Sequence, residues 1–391
     1  MANPLQDPEF FQNPYPTYAA LRSLGPVQPV PAGNGPARYL VTGYAEARAA
    51  FTDQRLSKDT ARIFAGKDTG RNLHPAVSHS MLATDPPQHT RLRGLVTKAF
   101  TPGAIAKLRP YIESVVDEYL DNWTAGERVD AMESLAVPLP VTVICQMLGV
   151  PEADRAQVRA WSNDLFAAGQ PERIDSASHA VAGYLADLID ARRRTPDDGL
   201  LTDLIRARDG QDRLSEDELV SLAVLLLVAG HETTTNLIGN GLLALLRTPE
   251  LFHQLCEQPH LVGATVDELL RLDSPVSIAT FRFATETISI GGAQIPAGSP
   301  VLISAGAANR DPGRFAEPDR LDLNRDARGH LAFGHGIHRC LGAPLARAEG
   351  EIAIHRLITR FPGLRLGVAY GELRWRRTRL MRGLEALPVV P

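Results

Sequence analysis

The clearest chemical signal in the sequence is a glycine-rich run that leads to one cysteine. Phe333 opens the run, Gly334 and Gly336 follow, and Cys340 is followed by Gly342. Glycine lets the backbone approach a flat ligand and turn without steric cost. A helical pattern begins directly after the run, so the free N–H groups and positive dipole end of that helix would point at the sulfur. Both effects favour the thiolate, which is the form that binds metals, and they predict that Cys340 is a metal ligand.

Two other interpretations of this cysteine follow from residue type alone. Free cysteine often packs as a small, inert apolar side chain. A zinc site of His335, His338 and Cys340 is the second alternative. Three ligands so close together in sequence lack the fourth ligand and the spacing of known zinc sites, which makes this the weaker prediction.

A second signal lies within a long apolar stretch. Ser215 and Glu218 have the spacing of a capping box, which predicts a helix that begins there and runs to Arg247. At 1.5 Å per residue, such a helix is roughly 50 Å long. Glu232 and Thr233 place a carboxylate and a hydroxyl in its middle, where polar groups are costly unless they serve a function.

Small residues surround this polar pair. Leu222, Leu225, Ala229 and Thr233 share one helix face, and Ala229 and Gly230 leave room for a flat ligand and a diatomic gas. Gly230 and Thr233 also predict a local break in the helical hydrogen bonding. His231 is predicted to be a hydrogen-bonded core histidine. A threonine-rich helical turn without function is the alternative for the whole segment.

Basic side chains elsewhere could bind carboxylates. His89 and Arg93 follow an Asp-Pro-Pro turn and fall at i and i+4 on one helix face. Arg offers a planar fork of donors and His a further N–H, so the pair could hold a carboxylate. A solvated helix face is the alternative. Arg282, near the start of a predicted strand, is a third candidate cation, with an ordinary surface position as its alternative.

The bulk composition limits the possible function classes. The chain has 391 residues, of which 44% are hydrophobic, and its net charge of -4 gives a pI near 6.3. Without a basic footprint, the protein is predicted not to bind nucleic acid. Its three widely spaced cysteines predict no disulfide framework and favour the reducing cytoplasm. Neither a signal peptide nor an apolar run of the ~20 residues that span a membrane is apparent, so no membrane is expected as a partner.

The candidate residues are carried by a mostly helical pattern. Helices are predicted over 17–24, 44–51, 110–123, 138–148, 154–168, 173–194, 215–247 and 343–360. A strand is predicted at 39–42, a hairpin about the glycines at 291–292, and a long loop over 60–80. The predicted fold class is therefore mainly α with small β-sheets (α+β), in a single domain over 1–391.

Together, these motifs resemble those of the cytochrome P450 superfamily, in the same order and over nearly the whole chain. The resemblance implies haem b between the long central helix and the helix after the cysteine loop, with the Cys340 thiolate as ligand of the iron. The residues it implies for holding the cofactor are His89, Arg93, Ala229, Arg282, Phe333, Gly334, His338, Cys340 and Gly342. It also implies catalytic roles for Thr233, which would steady dioxygen, and Glu232, which would pass protons.

The resemblance further implies a structural lock and a substrate pocket. Glu268 and Arg271 match the family's Glu-x-x-Arg pair, and Arg325 is the arginine expected to close this lock. Glu317 and Arg320 have the same spacing, so spacing alone is a weak signal. The residues expected to line the substrate pocket are Met81, Leu82, Leu225, Ala229, Val276, Ile278, Ala279 and Met381.

The activity implied is that of a bacterial haem-thiolate monooxygenase. It would insert one oxygen atom from O₂ into a lipophilic small molecule, by hydroxylation or epoxidation, and so tailor a natural product such as a macrolide or other polyketide. Electrons from NAD(P)H would arrive through a ferredoxin reductase and a ferredoxin, for which Arg91, Arg339 and Arg347 could form a docking patch. A cytoplasmic monomer is expected.

Two alternatives to this activity remain open. A peroxide-driven haem-thiolate hydroxylase would not need the proton relay that Glu232 and Thr233 suggest. A non-catalytic haem sensor or carrier ought to lack a roomy pocket and turnover.

Overall fold

A computed structural model describes residues 3–32, 35–63, 70–97, 100–165, 169–197, 199–208 and 214–391. The α-helices, numbered in chain order, are α1 Pro8–Gln12, α2 Tyr15–Ser23, α3 Tyr44–Thr52, α4 Thr60–Ile63, α5 Pro75–Ser78, α6 Gln88–Thr97, α7 Pro102–Leu120, α8 Pro138–Leu148, α9 Glu152–Asp164, α10 Pro171–Arg194, α11 Leu200–Arg208, α12 Glu216–Leu246, α13 Pro249–Glu257, α14 Val262–Leu272, α15 Ala305–Ala308 and α16 Ala343–Arg360. The strands are β1 Val27–Ala32, β2 Gly35–Val41, β3 Leu56–Ser57, β4 Val129–Asp130, β5 Arg282–Ala284, β6 Ile288–Ile290, β7 Ala293–Ile295, β8 Pro300–Ile303, β9 Arg365–Leu366 and β10 Pro388–Val390.

The chain divides into two compact units, each assembled from separate stretches of sequence. Residues 1–57, 113–136 and 233–391 form one unit, here called the sheet unit, and residues 58–112 and 137–232 form the other, the helical unit. Helix α12 contributes residues to both units, with the boundary between Glu232 and Thr233. The single-domain organisation stays a prediction.

The sheet unit is built on a five-stranded sheet of order β1-β2-β8-β5-β3. Strands β1 and β2 form a hairpin, β2 and β8 run parallel, and β5 pairs antiparallel with both β8 and β3. A second sheet has the order β4-β10-β9, and β6 and β7 form the hairpin that the sequence predicts. Alternating apolar residues of β2 and β8 place Val41 and Ile303 in one core cluster and Leu40 and Leu302 in another, as strand periodicity requires.

The helical unit is made of α-helices and 3₁₀ turns in the residues described. Helix α8 is the most apolar of these, and it ends at Gly149, which takes the left-handed conformation (φ 71°) that glycine tolerates. Helix α12 starts with the predicted capping box. The Ser215 N–H donates to Glu218 Oε2 (2.9 Å), and the Glu218 N–H donates to Ser215 Oγ (3.2 Å).

Several predicted boundaries are corrected by the structure. Helix α7 begins at Pro102, not at Pro110, which lies inside it. The predicted loop over 60–80 contains α4 and α5, and its residues 64–69 lie outside the described chain, as do residues 166–168 of the predicted helix 154–168. The predicted break near Gly230 is wrong, because α12 is continuous from Glu216 to Leu246.

Helix α12 is long and apolar enough, by length and composition, to cross a membrane. Of its most apolar window, 72% is buried inside the protein, as expected for a core helix.

Candidate functional site

The cysteine loop is held by backbone geometry in the sheet unit. The Cys340 N–H donates to the Phe333 carbonyl (2.8 Å), and Gly336–His338 forms a single 3₁₀ turn between them. Gly336 has φ 74°, and a Cβ there would lie 2.9 Å from Thr52 Cγ2 and 3.1 Å from the Phe51 carbonyl. Glycine is therefore required both for the turn and for the close approach of the loop to α3.

The three cysteines differ in ways that single out one as a ligand. Cys145 is buried, and burial raises the pKa of its thiol to about 12. Burial also raises the pKa of the half-exposed Cys256. Cys340 is exposed and lies just before α16, whose N-cap is Gly342. Exposure and the helix N-terminus both favour the Cys340 thiolate, as the sequence predicts.

The zinc interpretation of this loop receives no support. In the described part of the chain, no three His, Cys, Asp or Glu side chains come together as a metal site. Haem iron can be held by one cysteine thiolate, so Cys340 stays the predicted ligand of the iron.

The lock expected behind the loop is present. Glu268 Oε2 accepts from Arg271 Nε (2.6 Å), and Glu268 Oε1 accepts from Arg271 Nη2 (2.9 Å) and from Arg325 Nε (3.1 Å). Glu268 and Arg271 are almost completely buried. Arg271 also donates to the carbonyls of Asn309 (3.1 Å) and Pro318 (2.7 Å). The buried pair thus ties α14 to the segment that leads into the cysteine loop.

A second set of ionic contacts from α14 was missed by the sequence reasoning. Asp267 Oδ1 accepts from Arg347 Nε (2.7 Å) and lies 3.2 Å from His330 Nε2. The Arg347 guanidinium lies 4.8 Å from the centre of the Phe333 ring, and His330 packs against the same ring. Burial alone would raise the pKa of Asp267, but these hydrogen bonds lower it. Aromatic and acidic residues so far apart in sequence offer no spacing signal.

Two of the four predicted contacts with the propionate groups of haem lie in the sheet unit with Cys340. Arg282, on β5, is buried, and its guanidinium lies 4.9 Å from the centre of the Phe51 ring. His338 is half-buried in the 3₁₀ turn of the cysteine loop. Arginine and histidine are donors that suit the propionate groups of haem.

The other two predicted contacts lie on α6 in the helical unit. His89 is buried, and burial lowers the pKa of its imidazole. The positive charges of Arg93 and Lys58 lower this pKa further. The influence of Arg93 on His89 agrees with the predicted shared face. Arg91, predicted as part of a docking patch, is exposed and forms an ion pair with Glu218 on α12.

Helix α12 has an open stripe along an otherwise buried surface. Ala229 is exposed and Leu225 and Thr233 are half-buried, at intervals of four residues, while the residues between them are mostly buried. The small side chain of Ala229 leaves this stripe flat. Glu232 is buried beside it. His231 is a core histidine as predicted, with Nδ1 3.0 Å from the Ser162 hydroxyl.

The predicted substrate-pocket residues differ in their surroundings: two of them are bridged to each other, and others pack in hydrophobic cores. Met81 and Leu82 lie in a short 3₁₀ turn before α6, the first buried and the second half-buried. Val276 and Met381 form an antiparallel β-bridge, which brings two separate predicted pocket segments together. Ile278 instead belongs to a hydrophobic core cluster, and Ala279 packs against another. Both residues are therefore engaged in core packing within the sheet unit.

These features fit a haem group. An exposed cysteine at a helix start supplies the iron ligand, glycines let a flat ring approach, and buried cations can meet its two propionates. The open stripe on α12 has the small side chain of Ala229 at its centre. No part of this donor set demands another cofactor.

Comparison with known proteins gives the same assignment. The profile of the Cytochrome P450 family matches residues 157–363. The chain is 45% identical to Cytochrome P450 107B1 of Saccharopolyspora erythraea, over 98% of this chain and 96% of that protein. It is 42% identical to the Mycinamicin IV hydroxylase/epoxidase of Micromonospora griseorubida, over 95% and 94% of the two chains.

Solved structures extend the match to three dimensions. The Bacillus subtilis 168 structure described as the bacillaene polyketide synthase cytochrome P450 PksS shares 40% sequence identity and superposes with a TM-score of 0.93, over 99% of this chain and 98% of that one. The predicted fold class is thereby confirmed. The chain belongs to the cytochrome P450 family and is a haem b-dependent monooxygenase, which uses O₂ and electrons derived from NAD(P)H through redox partners.

Proposed function

We propose that this monooxygenase tailors a lipophilic natural product of the polyketide type, by hydroxylation or epoxidation. The observation that carries the proposal is the open stripe of Leu225, Ala229 and Thr233 on α12, a mostly apolar surface with one hydroxyl at its end. The names of the relatives support the substrate class, since one is a mycinamicin hydroxylase/epoxidase and another a polyketide synthase P450.

The residues assigned to the cofactor have different roles: one binds the iron, and others bind the propionate groups. Haem, when bound, supplies the activation of O₂ and the transfer of one oxygen atom to the substrate. The Cys340 thiolate binds the iron, and the helix dipole of α16 stabilises its negative charge. Arg282, His338, His89 and Arg93 would hold the propionates of bound haem. Phe333, Gly334 and Gly342 shape the loop that carries the sulfur.

Proton delivery is assigned to two consecutive residues of α12. The Thr233 hydroxyl would donate a hydrogen bond to the O₂ that haem activates. Glu232 is buried, and a buried carboxyl group can bring a proton into a region from which water is excluded. The reaction consumes two protons for each oxygen atom that leaves as water, so loss of either group uncouples electron use from product formation.

Apolar contacts with the substrate are assigned to Met81, Leu82, Leu225, Val276 and Met381. These side chains offer apolar area and few polar groups, which suits a lipophilic molecule. The β-bridge between Val276 and Met381 keeps their two segments at a fixed distance.

The electron donor is assigned as a ferredoxin, itself reduced by a ferredoxin reductase, in the cytoplasm. A cavity of about 490 Å³ opens beside the cysteine loop. Among its described lining residues are Arg48, Arg314, Arg339 and Arg347, and none is an Asp or Glu. Such a surface attracts an acidic protein and speeds its association at low salt. The apolar side chain of Ile337, 49% exposed, lies in the adjacent loop and adds a contact for a protein partner.

The proposal is tested by replacing Thr233 with valine, which removes the hydroxyl and keeps the shape. With ferredoxin, its reductase, NAD(P)H and a macrolide that shifts the haem spectrum, we expect product per NAD(P)H consumed to fall at least about ten-fold. Hydrogen peroxide should rise in proportion. With peroxide as the only oxidant, the variant should keep its activity, because peroxide is already reduced and protonated.

The matched control is Thr235→Val, a buried threonine two residues further along α12. It should leave the ratio of product to NAD(P)H unchanged. Unaltered coupling in Thr233→Val would contradict the assigned role. Product formation with peroxide alone and none with the ferredoxin system would favour the peroxide-driven alternative.

A further inference from the structure

Two arginines of the sheet unit stand near the proposed substrate pocket without a carboxylate of their own. Arg38 lies on β2, and Arg379 lies in the loop that leads to Met381. Both side chains are half-buried. Within the described residues, neither guanidinium forms an ion pair or donates a side-chain hydrogen bond. Half-buried guanidinium groups are normally paired, because their donors lose water on burial.

The charges of the two arginines act on each other. Burial lowers the pKa of Arg379, and the positive charge of Arg38 lowers it further. Among the described residues, the other titratable group that acts on Arg379 is Tyr18, whose hydroxyl lies 2.9 Å from the Ser277 hydroxyl. Like charges repel more strongly at a partly buried site than in water. The fold therefore bears the cost of an uncompensated positive charge at this point.

Asp273 is a carboxylate close in sequence to Val276, and it already has hydrogen-bond partners. Asp273 accepts from the Tyr15 hydroxyl (2.6 Å) and from Arg382 Nε (3.3 Å). Arg382 in turn donates to the carbonyls of Phe11 (2.8 Å) and Gln12 (2.9 Å). This arginine thus has a structural role that three contacts explain. No comparable set of contacts explains Arg38 or Arg379.

The surroundings of the two arginines are apolar and lead to the pocket wall. The Arg38 guanidinium lies 5.7 Å from the centre of the Phe281 ring, which is 49% exposed. The Leu380 carbonyl, next to Arg379, accepts from the Ser277 N–H (2.9 Å). The following residue, Met381, is bridged to Val276 in the proposed pocket. An amphiphilic molecule could therefore meet cations at one end and apolar side chains at the other.

We propose that Arg38 and Arg379 form a subsite that binds the carboxylate of an amphiphilic substrate, with Phe281 flanking the start of its apolar chain. This inference rests on the proposed function and narrows the substrate class to lipophilic molecules with one acidic group. Two planar donor forks can each offer two N–H groups to a carboxylate. Hydrogen bonds to charged groups are strong enough to change affinity by a factor of ten or more.

The test compares dodecanoic acid with its methyl ester, which has similar size and no charge. Equilibrium dialysis against the haem-loaded protein at pH 8 measures the affinity for each probe. We expect the acid to bind at least about ten-fold more tightly than the ester. Arg38→Gln and Arg379→Gln should each weaken acid binding about ten-fold and leave ester binding unchanged. The ester also reports whether each variant keeps its fold.

Arg377→Gln is the matched control, because Arg377 lies in the same loop, is exposed, and stacks on Phe11. It should bind both probes as the wild type does. Equal affinity for acid and ester in the wild type, or an equal loss of both in the Arg379 variant, overturns the subsite. The proposed function fails separately if the ferredoxin system forms no oxidised product from a polyketide-type compound that shifts the haem spectrum, which dialysis does not measure.

Discussion

Two buried polar regions of the sheet unit differ in how completely their hydrogen-bonding groups are satisfied. Around Glu268 and Arg271, each carboxylate oxygen and each terminal guanidinium nitrogen has a partner within 3.2 Å. In the second half of α12 and on the facing α16, the described chain supplies no hydrogen-bond partner for Thr235 Oγ1, either amide atom of Asn236, or Glu349 Oε2. Both regions are almost fully buried.

The difference indicates what each region is for. A buried ion pair stabilises a fold only when its remaining donors and acceptors are also satisfied, and the Glu268 lock meets that condition. Buried polar atoms without partners cost stability, and natural proteins tend to keep them where they serve a function. The unsatisfied region continues directly from Glu232 and Thr233, so α12 carries its costly polar groups next to the residues assigned to proton delivery.

The largest expected effect comes from breaking the satisfied region. Glu268→Gln removes the charge that compensates Arg271 and Arg325, and it should lower the free energy of unfolding by about 3–5 kcal/mol. Urea unfolding followed by circular dichroism measures the change. Loss of the absorption of the reduced carbon monoxide complex should follow, because the lock supports the cysteine loop.

Glu317→Gln is the control for this substitution. Glu317 and Arg320 have the same spacing and a similar distance, 3.1 Å, but about 70% of each side chain is exposed. An exposed pair contributes little, so the change should be below about 1 kcal/mol. Similar losses in the two variants would show that burial does not set the value of the ion pair.

The next largest expected effect is a pH dependence of stability that comes from Glu349, the carboxyl group of the unsatisfied region. Glu349 is fully buried, and burial raises its pKa from 4.5 to about 8, although a hydrogen bond with Thr234 opposes the shift. Between these values, the folded protein keeps a proton that the unfolded chain releases. The stabilisation that comes from protonated Glu349 is therefore fully present below about pH 4.5 and is lost as the pH rises toward 8.

Glu349→Gln is the substitution that exposes this dependence. Between pH 6 and pH 8, the wild type should lose about 2–3 kcal/mol relative to the variant, which has no proton to lose. Unfolding free energies at the two pH values give the difference. Glu250→Gln, on the exposed side of α13, should keep the wild-type dependence. Parallel pH profiles for wild type and Glu349→Gln would mean that this carboxyl is ionised in the folded protein.

The two regions also differ in how far the sequence predicts them. Cys340, Glu268 and Arg271 belong to short motifs, so their local spacing was sufficient. Arg325 was correctly identified as the partner of Glu268, although it is 57 residues away, because the family pattern requires an arginine there. Asp267 and Arg347 are 80 residues apart and belong to no such pattern, so their contact was missed.

Errors in the predicted elements have local physical causes. The sequence pattern predicts a helix start at Pro110, a residue type favoured in the first turn of a helix. The structure places Pro110 inside α7. Ile278 is predicted to line the pocket with its neighbours, and in the structure it packs in a core cluster with Tyr18 and Leu302. The expected break in α12 assumed that Gly230 and Thr233 weaken the helix. Burial of the flanking residues instead keeps it continuous.

The smallest expected effect compares one hydroxyl from each region. Ser274 and Thr235 are both buried, but only the first is satisfied: Ser274 Oγ donates to the Leu270 carbonyl (2.8 Å) and accepts from Asn309 Nδ2 (2.8 Å). Ser274→Ala leaves the Asn309 amide without its acceptor and should cost about 1–2 kcal/mol in unfolding free energy. Thr235→Val removes a hydroxyl that bonds nothing in the described chain and should change stability by less than about 0.5 kcal/mol or increase it. A larger loss for Thr235→Val than for Ser274→Ala would show that the second half of α12 is a satisfied structural network, and the contrast between the two regions would then fail.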